Sequence, residues 1–246
     1  MRTCALWIVL AGCSIPQRAP FDCVGKALIP EVSAPLHVHG TILDGFRGRN
    51  PLSNVTVSGF YIIGSPGTPV GPMFGDQTNS AGSFQWTEPK ELSAHEQMIQ
   101  SHIDGYADAY FYPALPVASD LYVQFAQFTS GDLMSLVGLS SMLNLPPDTR
   151  LDTPLIVSVV DCNDDAVAGA KVTVAQPSND KVLVLYFNGD TPDPSLQATT
   201  LPLGAVLVAG LGQGSATVSA SFENKPYMPH DVTVTTGAVT FTEISP

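Results

Sequence analysis

The sequence predicts an all-β protein built as two antiparallel sandwiches in tandem, and three observations carry that prediction. Short segments in which apolar and polar residues alternate recur along the chain, most of them bounded by Gly, Pro, Asn or Asp. Glycine and proline number 21 each in 246 residues, above the roughly 12% of average usage yet short of low complexity. A strand-turn-strand unit of the first half returns in the second, where Leu155, Val157 and Val159 alternate, Asp161 to Asp165 turn, and Ala170, Val172 and Val174 alternate again. With 44% hydrophobic and 13% charged residues, the chain has apolar content enough for such cores. Ten Lys and Arg against 22 Asp and Glu give a net charge of −12, which repels nucleic acid and leaves no polybasic patch for anionic lipid.

The first element, residues 1–12, sets Arg2 before an apolar run and has the layout of a secretory signal. The run is shorter than the about 20 apolar residues of a spanning helix, and Pro16 and Pro20 follow it closely. Leu10-Ala11-Gly12-Cys13 resembles the lipobox of bacterial lipoproteins. That resemblance implies removal of 1–12, acylation of Cys13 and attachment to the membrane through an N-terminal lipid anchor, which several acyl chains make stable where one would not. Ser14, standing where an aspartate would retain such proteins at the inner membrane, implies outer-membrane sorting, with the chain facing the periplasm or the surface. An ordinary secretory signal followed by a cysteine has the same outline. With Cys4 removed and Cys13 acylated, Cys23 and Cys162 are left. An oxidising envelope compartment permits a disulfide between them; otherwise Cys162 is a small buried residue and Cys23 a thiol in the tether. Two cysteines cannot build a zinc ribbon.

Residues 13–35 are proline-rich without a sustained period and read as a tether that holds a folded body off the membrane. The body begins at Leu36. Leu36, Val38 and Ile42 alternate with His37, His39 and Thr41, a loop follows from Asp44 to Pro51, and Val55, Val57 and Phe60 to Ile63 resume the strand pattern before Gly82 and Phe84 open another. The segments Ser65 to Gly75 and Glu88 to Gly105 read as insertions between strands, and Tyr106 to Pro113 as a strand. This first sandwich is expected over 36–128. Between 129 and 151 lies the best helical pattern, with Leu133, Met134, Leu136, Val137, Met142 and Leu143 on one face, Ser130 as cap, Asp132 at the positive end of the dipole and Pro146-Pro147 as stop. Such a short amphipathic helix would pack across the junction of the sandwiches. The second sandwich, 152–246, has strands expected near 155–159, 170–174, 182–187, 205–209, 216–222, 232–235 and 239–244, seven in all, as a sandwich of this size requires.

Val38-His39-Gly40-Thr41-Ile42 with Asp44, then Pro51-Leu52-Ser53-Asn54-Val55-Thr56-Val57 and Thr78-Asn79-Ser80-Ala81-Gly82-Ser83-Phe84, resemble the first strands of carboxypeptidase regulatory-like domains. Val157 to Asp161 leading to Val167-Ala168-Gly169-Ala170-Lys171-Val172-Thr173-Val174, with Gly214 to Ala220 later, form a second and clearer copy. The whole layout is similar to lipoproteins of myxobacteria and their relatives. The resemblance implies transthyretin-like, seven-stranded sandwiches that accompany enzymes or surface receptors without performing chemistry.

The residues offer few sites for chemistry. His37 and His39, two apart on a strand, share a face and could present imidazoles to a divalent metal, with His95, Glu96 or His102 completing the shell; in that alternative the protein is a metal-dependent enzyme. Apolar Leu36, Val38 and Ile42 claim the opposite, core face, and no cofactor is expected in the main reading. Tyr106, Tyr110 and Tyr112 near His102 invite comparison with the iron ligands of intradiol dioxygenases, but order and spacing do not match. With Trp86, these tyrosines would form a glycan-stacking platform if exposed. Asp161, Asn163, Asp164 and Asp165 offer oxygens in five residues, yet Ala166 and Val172 stand where a calcium loop needs Gly and Glu. Gly-x-Ser-x-Gly, P-loop and Gly-x-Gly-x-x-Gly motifs are absent. The expectation is therefore a non-enzymatic cell-envelope module that contacts a protein or a polysaccharide, not nucleic acid.

Overall fold

A computed structural model describes residues 23, 35–45, 50–63, 68–89, 95–133, 153–177, 182–189 and 191–246. In the first half lie β1 (Leu36–Asp44), β2 (Thr56–Ile63), β3 (Thr68–Gln77), β4 (Ser83–Glu88), β5 (Gln97–His102), β6 (Ala109–Tyr112) and β7 (Leu121–Gln127). The second half supplies β8 (Leu155–Val159), β9 (Lys171–Ala175), β10 (Leu183–Asn188), β11 (Thr191–Asp193), β12 (Ala205–Ala209) and β13 (Gly214–Phe222), and it ends with β14 (Lys225–Pro226), β15 (His230–Val234) and β16 (Val239–Ile244). The protein is all-β, as the alternation predicts, and every strand expected from it is present.

The described strands form three sheets. One has the order β4-β1-β7, and a nine-stranded sheet runs β11-β10-β12-β8-β16-β6-β5-β2-β3. In the third, β13 pairs with β9 on one side and with β15 and the short β14 on the other. The halves expected at 36–128 and 152–246 are thus not joined by a linker alone. The last strand, β16, lies between β8 and β6 and pairs with both, so one sheet passes through both halves.

The two smaller sheets cover opposite faces of this long sheet. Ile99, Ala109 and Phe111 pack with Val38, Ile42, Val123 and Phe125 beneath the β4-β1-β7 sheet. Tyr112, next to Phe111, joins Leu155, Val157, Val206, Val208 and Ile244 against Val172, Ala216, Val218, Val232 and Val234. Successive side chains of a strand point to opposite faces, so the two cores lie on opposite sides of one ladder. Each fully buried Val, Leu, Ile or Phe contributes about 1.5–3 kcal/mol. Gly40 lets the first core close: a methyl at that position would collide with the Val123 carbonyl oxygen and the Phe84 ring.

Four expectations need correction. The sheets are not purely antiparallel, because β1–β7, β6–β16 and β8–β16 run parallel; each pair is linked by a long crossover, which allows the same direction where a tight hairpin forces the opposite one. The supposed insertions at Ser65 to Gly75 and Glu88 to Gly105 contain strands, β3 and β5. Pro69 and Pro72 obscure the first, and β3 is tolerated there because it forms an edge. In β5 the polar Gln97 and Ser101 are buried, which inverts the expected pattern. Most of the 129–151 helix lies outside the described residues, and its first turn is capped by Thr129 rather than Ser130. Asp132 Oδ2 accepts from Thr129 N–H at 2.9 Å and Thr129 Oγ1 accepts from Asp132 N–H at 3.1 Å, a reciprocal capping box. Thr129→Ala is expected to lower stability by about 1 kcal/mol, read as a lower midpoint of denaturant unfolding.

Candidate functional site

The strongest candidate surface is the outer face of the β4-β1-β7 sheet, set by the alternation of β1. Leu36, Val38 and Ile42 turn inward, and His37 and His39 are exposed on the other side. Registers place Thr87 opposite His37 on β4, and Gln85 and Tyr122 either side of His39. His37 Nδ1 lies 3.2 Å from Thr87 Oγ1, and the His37 backbone N–H donates to Asp120 Oδ1 at 2.8 Å. The His39 ring sits 5.5 Å from that of Tyr122, which is 57% exposed. The result is a polar face from which two imidazoles project off one strand.

The other predicted metal ligands lie elsewhere. His95 pairs with Glu88, its Nε2 3.1 Å from Oε2 of a carboxylate with no exposed side-chain surface. Trp86 Nε1 and Gln97 Nε2 both donate to Glu88 Oε1, at 3.0 and 2.6 Å. Burial works to raise the Glu88 pKa, but hydrogen bonds from His95, Trp86 and Gln97 and the His95 charge outweigh it and hold the carboxyl below its ordinary range. Tyr61 meets the His95 ring edge-on at 4.6 Å, and burial followed by the Glu88 charge pushes its phenol up to about 12. Glu96 is raised by burial, with the His95 charge opposing. His102, on the far end of β5, contacts Asp108 at 2.6 Å, and that hydrogen bond raises its pKa. The predicted set of His37, His39, His95 and His102 is therefore dispersed, because β1 and β5 belong to different sheets. Among the described residues no three His, Cys, Asp or Glu side chains are grouped so as to enclose a metal ion.

The predicted glycan platform is also corrected. Trp86 is 8% exposed and stacks on Phe84 inside the first core, since it shares the inward face of β4 with Phe84 and Glu88. Tyr112 is 3% exposed, Tyr110 is half-buried, and the half-buried Tyr106 donates to Asp44 Oδ2 at 3.0 Å. They share no outward face.

The Asp161 to Asp165 segment is a turn. Asp161 Oδ1 accepts from Asn163 N–H at 2.7 Å and from Asp165 N–H at 3.1 Å, so its carboxylate serves its own loop. Asp164 is raised by burial and by Asp161 and Asp165, and Glu243 on β16 reaches about 7 through burial and the Asp164 charge. Cys23 and Cys162 form a disulfide across 139 residues. Cys13 lies outside the described residues.

No family model matches the chain, and no curated protein matches it. Solved structures give loose likenesses. The Bacillus anthracis TIE protein aligns at 12% identity and a TM-score of 0.28 over 85% of this chain and 33% of its own, so the chain spans about a third of that protein. Shaft pilin spaA from Lactobacillus rhamnosus GG aligns at 12% identity and 0.26, over 86% of this chain and 98% of that one. Hydroxyquinol 1,2-dioxygenase from Pseudomonas putida DLL-E4 aligns at 12% identity and 0.29, over 49% and 65%. Superpositions this loose carry no argument, and function is read from the chain's own residues.

Sequence reasoning missed the Glu88 cluster and the partners of the histidine pair. The signal for Glu88 was present: Phe84, Trp86 and Glu88 alternate, which puts a carboxylate at a core position. In the same way, Leu121, Val123 and Phe125 alternate with exposed Tyr122.

Proposed function

We propose that the chain is a non-enzymatic lipoprotein of the cell envelope. It is anchored through acylated Cys13 at the outer membrane and displays its regulatory-like sandwiches for contact with another protein or an envelope polymer. The Cys23–Cys162 disulfide carries this reading. Such bonds persist in oxidising compartments outside the cytosol, and this one ties the segment that follows Cys13 to the second sandwich. Long acyl chains would then hold a stapled, two-core body at the membrane surface without a spanning helix, and no helix among the described residues is long and apolar enough to cross.

Cys13→Ser is expected to move the protein from the membrane fraction to the soluble fraction and to abolish labelling by a radioactive fatty acid. Retention of the variant in the membrane fraction, with labelling unchanged, would overturn the anchor.

A further inference from the structure

We propose that His37 and His39 form a two-nitrogen chelate on the outer face of the β4-β1-β7 sheet for a divalent late transition-metal ion, Cu2+ most tightly. The two residues are separated by one position of a single strand, so their side chains leave the same face about 7 Å apart at the backbone. That separation lets two imidazoles converge on one ion with metal–nitrogen bonds of about 2.0–2.1 Å. Both are exposed, so neither must leave a packed position to turn toward the ion. The strand itself is fixed on both sides, by β4 through Leu36 to Thr41 and by β7 through Val38 to Asp44.

The surroundings favour a cation. With Nε2 of His37 on the ion, Nδ1 carries the proton and donates to Thr87 Oγ1, which lies 3.2 Å away. A second hydrogen bond of this kind fixes the tautomer and orientation of metal-binding histidines. Asp120, held to the His37 backbone at 2.8 Å, adds a negative charge at the rim. Tyr122 bounds the His39 ring on the opposite side. Neutral imidazole suits Cu2+, Ni2+ and Zn2+, and for a given nitrogen site affinity peaks at Cu2+. Two protein ligands leave the remaining positions open to water or to a ligand from another molecule.

The test is titration of the full chain in detergent, disulfide intact, with CuCl2 at pH 7.5, together with electron paramagnetic resonance of the loaded protein. One equivalent of Cu2+ should bind with coupling to two imidazole nitrogens, and His37→Ala and His39→Ala should each weaken that equivalent at least tenfold. His102→Ala, a histidine outside the pair, should leave it unchanged. Thr87→Ala should weaken it a few-fold, because it removes the acceptor that fixes the His37 ring. Coupling to a single nitrogen, an effect of only one of the two alanine variants, or equal loss in His102→Ala would each overturn the chelate. Unchanged unfolding midpoints in both variants make a loss of binding a loss of ligands.

Discussion

Glu88→Ala is expected to cost the fold about 3–5 kcal/mol, read as a large drop in the denaturant midpoint without a change in slope. The carboxylate is wholly buried and accepts from Trp86 Nε1 and Gln97 Nε2, with His95 Nε2 3.1 Å from its other oxygen. Removing it leaves three buried donors without their acceptor, and an orphaned buried polar group costs its full desolvation. Glu88→Gln keeps an acceptor for Trp86 and Gln97 but turns an amide toward His95, so its loss should be smaller. A loss under about 1 kcal/mol in Glu88→Ala would show that water replaces the carboxylate. The pH dependence has a definite sign. The folded pKa is held below the ordinary value of 4.5, so the stabilisation is present above that value and is lost as pH falls through the lower, folded one. His230, held down by burial, acts in the same direction, losing its contribution as pH falls below the ordinary 6.5.

Glu243→Gln is expected to do the reverse and stabilise the protein at alkaline pH. Burial and then the Asp164 charge raise Glu243 from 4.5 to about 7. A folded pKa above the unfolded one means stability is fully present below pH 4.5 and declines as pH rises through about 7. The difference corresponds to about 3 kcal/mol once both states are ionised. At pH 8 the amide should therefore gain up to about 3 kcal/mol over the wild type, and at pH 4 almost nothing. Thermal unfolding of both proteins across that range checks it, and a gain that does not vary with pH would mean the effect is packing rather than charge.

The strands of the second half were legible because hydrophobic alternation and burial agree there: Leu155, Val157 and Val159 are apolar, alternate and are wholly buried. The first half was harder for one physical reason. Its polar groups enter the core in pairs, as Glu88 with His95 and Gln97, and Gln127 with Ser101 at 2.5 Å, and each pair inverts the local pattern. That inversion hid β5 and the Glu88 cluster, while prolines hid β3. The shared sheet was not legible at all. Pairing of β16 with β6 joins residues over a hundred positions apart, such as Phe241 and Phe111, and no local period encodes which edges meet. At the candidate site, alternation alone put His37 and His39 outward. The neighbours Thr87 and Tyr122 depend on register across strands, which sequence does not supply.

The disulfide has a mechanical consequence when the chain is held by its N-terminal end. Tension arriving at Cys23 would cross directly to Cys162, three residues beyond the end of β8, a strand hydrogen-bonded on both sides within the long sheet. The bond is a covalent shortcut past the 138 residues between the two cysteines, β1 to β8 among them.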